Sequence, residues 1–140
     1  RQIMLSQAKE SQEDLENRPK ILIVMDDMAG QLEKNKTLQK LCTKYRHYNI
    51  SIMISVQQHK SIPVMIRNSL TCYTMFNIPS GKEFEKISEE ILDRFPAGQE
   101  LAKYATKKRY EFCFINIEKA TMWRNFDELL YDRSTDPAFD

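Results

Sequence analysis

Five unbroken apolar residues, Ile21-Leu22-Ile23-Val24-Met25, stop abruptly at Asp26-Asp27. A run this short, and rich in β-branched side chains, predicts a strand buried on both faces, as at the centre of a parallel sheet with helices on either side. From Gln31 to Tyr45 the period becomes helical. Leu38, Leu41, Cys42 and Tyr45 recur on one face while Lys36, Lys40 and Lys44 line another. Asn49 marks the break, and Ile50 to Val56 predicts a second strand that runs out into Gln57-Gln58-His59. A polar loop carries Pro63, and Leu70 to Phe76 predicts a third strand. Ser80 is placed to N-cap a helix from Glu83 to Leu92, with Ile87 and Ile91 on its apolar face. Gly98 to Ala105 predicts a further short helix. Tyr110 to Ile117 and Met122 to Phe126 predict an antiparallel strand pair at the sheet edge.

Strands alternating with helices define an α/β sheet. Three segments follow: a polar helix or linker over 1–18, closed by Pro19, a core over 19–127, and a C-terminal tail over 128–140. In open α/β sheets ligands bind beyond the carboxyl ends of the strands. Two strands end in polar residues at that place, Asp26-Asp27 and Gln57-Gln58, so the function is to be sought there.

Composition narrows the class without naming a chemistry. The chain has 140 residues, 41% apolar and 29% charged, the balance of a globular domain and not of a disordered tail or a rod. Lys plus Arg (21) against Asp plus Glu (20) leaves a net charge of +1, so the chain as a whole is no polycation. Cys42, Cys72 and Cys113 are widely spaced and odd in number, which reads as thiols of a reducing compartment and not as a disulfide framework or zinc site. No apolar run approaches the roughly 18 residues of a membrane helix, and no signal peptide is visible. His47 and His59 stand too far apart to suggest a metal, and the scattered Met residues read as packing.

Adjacent carboxylates raise each other's pKa and cost stability unless a cation or donor compensates. A Mg²⁺ ion held through one or two carboxylates and several waters supplies that compensation. The blander explanation is an N-cap, with Asp26 or Asp27 satisfying free N–H groups of the next helix. A phosphorelay receiver also begins with an acid pair after its first strand, but it needs an acceptor Asp at the end of its third. No Asp occurs between Asp27 and Asp93, which excludes that reading. The other chemistry is the Walker B strand of a P-loop NTPase, with Asp26 on the metal side and Asp27 polarising the attacking water. Gln57 ends the next strand, and an amide, which donates and accepts at once, suits positioning that water. Taken alone, Gln57 reads first as a solvated strand end, and it gains weight only beside Asp26 and Asp27.

The succession Ile21-Leu-Ile-Val-Met-Asp-Asp-Met28, Tyr45-Arg-His-Tyr-Asn-Ile-Ser51, Ser55-Val-Gln57, Ile62-Pro63 and Ile66-Arg67-Asn68 resembles the genome-packaging ATPases of large double-stranded DNA viruses. These are the poxvirus-type members of the FtsK–HerA superfamily. The resemblance covers Pro19 to Ile91, and Tyr110 to Ile117 with Arg124-Asn-Phe-Asp127 resembles the family's closing strands. It implies a RecA-like P-loop NTPase core: a mostly parallel sheet flanked by helices, with a C-terminal antiparallel pair. It implies Asp26 as the Walker B aspartate holding Mg²⁺ through water, Asp27 as the catalytic acid, and Gln57 as a sensor of the γ-phosphate. Arg46 then matches an arginine acting on a neighbouring subunit's nucleotide, and Arg67 is a second phosphate contact. For either arginine the common alternative is a surface salt bridge.

Two departures stand out. The second Walker B acid is often Glu and here is Asp27, one methylene shorter. No GxxxxGK[ST] occurs, since Gly30, Gly81 and Gly98 are the three glycines and Ser80-Gly81-Lys82 lacks the preceding glycine. The expectation is therefore the C-terminal part of an ATPase core whose P-loop lies before Arg1, this chain alone being inactive. The implied function is ATP hydrolysis, with ATP and Mg²⁺ as cofactors, coupled to moving double-stranded DNA into a capsid. The implied partners are DNA, further copies in a ring, and capsid or portal-vertex proteins, with no membrane. The location is the host cytoplasm at sites of viral assembly, with the virion second. The alternatives are a degenerate, non-enzymatic ring or capsid module and a DNA pump of conjugation or chromosome segregation. Lys103, Lys107, Lys108 and Arg109, with Lys60 after Gln57, form candidate DNA contacts, though such clusters are commonly solvated faces. Trp123 and Tyr110 have the chemistry to stack on bases, but on strands near other aromatics they are expected in the core.

Overall fold

A computed structural model describes residues 19–139 except Ala29, so the polar segment 1–18 lies outside the described residues. The chain divides between Ser69 and Leu70 into two compact units.

In the first unit β1 (Ile21–Met25) pairs in parallel with β2 (Ile50–Ile54), Ile21 opposite Ile50 and Met25 opposite Ile54. Two helices connect them, α1 (Gln31–Lys34) and α2 (Lys36–Lys44), followed by a 3₁₀ turn, Tyr45–Tyr48. The single helix expected over Gln31 to Tyr45 is thus broken at Asn35. That residue's side chain accepts from the Leu38 N–H (3.0 Å) and starts α2, while the Gln39 amide donates to the Leu32 (2.7 Å) and Glu33 carbonyls at the end of α1. Asn49, at φ 53, ends the 3₁₀ turn in the left-handed conformation that Asn tolerates and launches β2. α3 (Val64–Arg67) follows. Its Ile66 joins Met25, Leu32, Cys42 and Ile62 in a core that takes Ile23, Ile52 and Ile54 from the sheet and Val56 from just beyond it.

Among the described residues, β1 is covered on one face. Its residues alternate, with Ile23 and Met25 turned to the core and Leu22 and Val24 about 60% exposed together with Met53 of β2. A strand apolar on both faces is here covered on one.

The second unit is a four-stranded antiparallel meander in the order β3 (Cys72–Met75), β4 (Cys113–Asn116), β5 (Thr121–Arg124), β6 (Glu128–Asp132). The expected third parallel strand therefore pairs antiparallel with β4, and parallel pairing among the described residues is confined to β1 and β2. The pair expected at 110–117 and 122–126 forms, shortened at its ends. The segment taken as a tail adds β6, Glu128-Leu129-Leu130-Tyr131-Asp132, which pairs antiparallel with β5 across a register shift at Met122/Trp123. α4 (Gly81–Glu90), a 3₁₀ turn (Leu92–Arg94) and α5 (Gly98–Ala105) supply Ile87, Leu92, Ala102 and Ala105 to a core shared with Met75, Cys113, Ile115 and Met122. Ser80 sits at the N-cap of α4 without a side-chain cap bond. Gly98 lets α5 start against the preceding turn, because a Cβ there would lie 2.2 Å from the Leu92 carbonyl oxygen.

Candidate functional site at the carboxyl edge of the parallel strands

Both parallel strands release polar residues at the same edge. The Ser55 N–H donates to the Met25 carbonyl (2.8 Å) and the Met28 N–H to the Ser55 carbonyl (3.4 Å), so the chain leaving β2 holds the turn that carries the acids. Within that turn Asp27 adopts φ 50, the left-handed region that short polar side chains tolerate. Gln57 then reaches across and donates Nε2 to Asp27 Oδ1 at 3.4 Å. Asp26, Asp27 and Gln57 are all exposed.

The N-cap explanation of the acid pair does not hold. Gly30, at φ 73, occupies the N-cap of α1, with no side-chain cap bond. The sequence pattern singled out these three side chains but not what orders them: the Ser55 backbone and the positive φ of Asp27. The signal available was the residue type, since Asp and Asn enter that region far more readily than other side chains.

Of the two arginines, Arg46 lies at the far edge of the sheet and Arg67 fastens a loop. Arg46 belongs to the 3₁₀ turn before β2, hence to the amino edge of the sheet, with its Nε donating to the Tyr45 hydroxyl (3.1 Å) and its guanidinium over that ring. The five residues of β2 put about 16 Å between the edges. Arg67, half-buried at the end of α3, donates Nη1 to the Ile62 carbonyl at 2.7 Å and fastens the preceding loop.

Of the other candidates, Lys60 is exposed beyond Gln57, and Lys103 lies over the Phe84 ring on the helical side of the second unit. Lys107, Lys108 and Arg109 are exposed in the turn before β4. Tyr110 is no core residue: it is 77% exposed, with the Arg109 guanidinium 4.8 Å from its ring centroid. Trp123 is half-buried, its Nε1 donating to Thr121 Oγ1.

Among the described residues no three His, Cys, Asp or Glu side chains gather into a protein-built metal cage. Two adjacent exposed carboxylates fit the one or two acids that a phosphate-borne Mg²⁺ takes from a protein. No helix of the described residues is long and apolar enough to cross a membrane.

The fold is that of viral genome-packaging NTPases. The genome packaging NTPase B204 of Sulfolobus turreted icosahedral virus 2, solved in complex with ATP-gammaS, superposes with a TM-score of 0.62 at 16% identity, over 78% of this chain and 53% of that one. The DNA-packaging ATPase B204 of Sulfolobus turreted icosahedral virus gives 0.60 at 18% identity, over 74% of this chain and 50% of that one. Residues 2–92 match the Poxvirus A32 protein family, and the chain belongs to that family. DNA packaging protein OPG160 of Variola virus is 33% identical over 57 residues, 41% of this chain and 21% of the relative. The same protein of Monkeypox virus is 33% identical over 57 residues, 19% of its length. The matched stretch is thus about a fifth of these curated relatives.

Proposed function

We propose that the Asp26–Asp27–Gln57 corner is the metal and water side of an ATP-hydrolysing centre in a viral DNA-packaging motor. The observation that carries this reading is the amide–carboxylate contact joining the ends of two parallel strands, Gln57 to Asp27. Family membership and the likeness to packaging NTPases support it. In this reading the chain is part of a RecA-like core, and the phosphate cradle comes from sequence joined to these residues in the working protein.

Bound ATP with Mg²⁺ supplies the phosphoryl group and the cation that neutralises its charge. The Asp26 carboxylate would hold the ion's water shell. Asp27 would accept the proton of the attacking water, and Gln57, already donating to Oδ1, keeps that carboxylate oriented while its carbonyl oxygen remains available as an acceptor. Asp27 is one methylene shorter than Glu, so the attacking water has to sit correspondingly closer to the strand end.

Arg46 belongs at the opposite edge of the same sheet, so it serves a nucleotide held by the next copy in a head-to-tail ring. Arg67 holds a loop in this subunit and is the weaker candidate for phosphate. Double-stranded DNA, neighbouring copies and capsid proteins are the partners that such a motor engages at a viral assembly site in the host cytoplasm.

The test is Asp27→Asn in a protein that joins these residues to a phosphate-binding loop. ATP binding persists while turnover falls at least 10²-fold, as expected for loss of a general base. Turnover equal to wild type removes Asp27 from the chemistry. No ATP binding by either protein supports the non-enzymatic module instead.

A further inference from the structure

Gln57 is exposed, but the chain on either side of it is anchored. Val56 packs against the core of the first unit. Beyond Gln57-Gln58 the 3₁₀ turn His59–Ser61 buries His59, 3% exposed, and Ile62 follows it at 5%. The Ser61 N–H donates to the Gln58 carbonyl (3.0 Å) and the Ile62 N–H to the His59 carbonyl (3.1 Å), which closes the turn on itself.

Pro63 sets up a further tie. The residue before a proline is held extended, and Ile62 stands at φ −90, ψ 122. The Ile66 and Arg67 N–H groups both take the Pro63 carbonyl, at 2.9 and 3.0 Å. The Ile62 carbonyl instead receives Arg67 Nη1, at 2.7 Å. A hydrogen bond from a guanidinium is charge-assisted, shorter and stronger than a neutral one. Arg67 ends α3, whose Ile66 is buried in the same core, so the bond runs from a packed helix to the loop that carries Gln57.

We infer that Arg67 is a positioning residue for Gln57: through Ile62 it holds the loop from which the Gln57 amide reaches Asp27. The inference rests on reading Asp26, Asp27 and Gln57 as the hydrolytic corner, and it assigns Arg67 to that corner's geometry and not to a phosphate. The amide–carboxylate contact is 3.4 Å long and solvent-exposed, so it is too weak to fix a side chain with several free torsions by itself. A group that orients a carboxylate and a water must be held to within about 0.5 Å by what supports it. The buried His59 and Ile62 and the Arg67 bond supply that support from one side, and Val56 supplies it from the other.

The experiment is a double-mutant cycle on ATP hydrolysis in the protein that joins these residues to a phosphate-binding loop, with circular dichroism showing which variants are folded. Arg67→Ala lowers kcat about 10-fold, as a small displacement of a positioned group does, and leaves KM for ATP within about twofold of wild type. Arg67→Lys keeps a charged donor and recovers part of the loss, and it carries the cycle if Arg67→Ala does not fold. In a Gln57→Ala background the further loss on changing Arg67 shrinks to less than about twofold, because no amide is left to position. Amide exchange in the same protein gives a readout apart from turnover: the Ser61 and Ile62 N–H groups exchange faster in the Arg67 variant while those of β1 do not. Unchanged exchange at Ser61 and Ile62 overturns the proposal. A KM raised about 10-fold with kcat kept assigns Arg67 to a phosphate and overturns it as well. Losses from Gln57→Ala and Arg67→Ala that simply multiply overturn it while leaving Gln57 in the site. Wild-type turnover by Gln57→Ala removes the reading of the corner itself, and the positioning role falls with it.

Discussion

Gln57, beyond the end of β2, donates its side-chain amide to the carboxylate of Asp27, beyond the end of β1, at 3.4 Å. The residues are thirty apart in sequence and meet because parallel pairing aligns Met25 with Ile54. Gln57→Glu replaces the donor by a second carboxylate, which repels Asp27 and favours a proton on one of the two. In the phosphate-loop-bearing protein kcat should fall about 10²-fold, with KM for ATP little changed. Gln57→Ala should lower kcat less, since it removes the orienting bond without adding a charge. Steady-state hydrolysis by the two variants checks the order, and equal activity of Gln57→Glu and wild type removes Gln57 from the site.

This corner was legible in the sequence because its signal is local: an apolar run that ends in acids and another that ends in an amide. What the run could not show is how much of it is covered. Leu22 and Val24 are as apolar as Ile23 and Met25, so the pattern pointed to helices on both faces, whereas α1, α2 and α3 cover one. β3 misled for a related reason. A short apolar run does not encode whether its partner is parallel or antiparallel, and only the register of Thr74 with Phe114 decides it. β6 escaped notice because its apolar residues, Leu129 to Tyr131, are a run of three between Glu128 and Asp132, too short to set a period, and the register shift at Met122/Trp123 accommodates it.

The two faces of β1 make opposite predictions for stability. Val24 is 59% exposed and Met25 7%. Val24→Thr should change unfolding free energy by less than about 0.5 kcal/mol, whereas Met25→Ala should cost about 2–4 kcal/mol through lost burial and an unfilled cavity. Urea unfolding of the two variants decides the matter. A cost for Val24→Thr as large as that for Met25→Ala would mean that both faces are packed in solution.

Gly98 holds the second unit together by having no side chain. An added Cβ would lie 2.2 Å from the Leu92 carbonyl oxygen and 3.3 Å from Phe95 Cβ. Backbone cannot yield as a flexible side chain does, so α5 must shift away from the Leu92–Arg94 turn and carry Ala102 and Ala105 out of the core. Gly98→Ala should destabilise by about 1–3 kcal/mol or more, although Ala is the better helix former. Gly81→Ala is the control, since nothing lies within 4 Å of its Cβ position. It should leave the melting temperature unchanged or raise it.

The thiols differ in reactivity and tie stability to alkaline pH. Cys72 is exposed, while Cys42 and Cys113 are buried. Burial raises the Cys42 thiol and pushes Cys113 from 9.0 up to about 12. Thiolate is the reacting species, so a disulfide reagent at pH 8 should modify Cys72 rapidly in the folded protein and all three cysteines once guanidinium unfolds it. Between about pH 9 and 12 the unfolded chain releases the Cys113 proton and the folded chain keeps it. The folded state then binds more protons, and stability falls as pH rises, by about 1.4 kcal/mol per pH unit for this one group. Below pH 9 the contribution is fully present. Cys113→Ala should lower stability at neutral pH by leaving a cavity and also flatten the alkaline slope. Chemical unfolding at pH 8, 9 and 10 measures both effects, and a slope identical in wild type and variant would show that Cys113 ionises as freely in the fold as out of it.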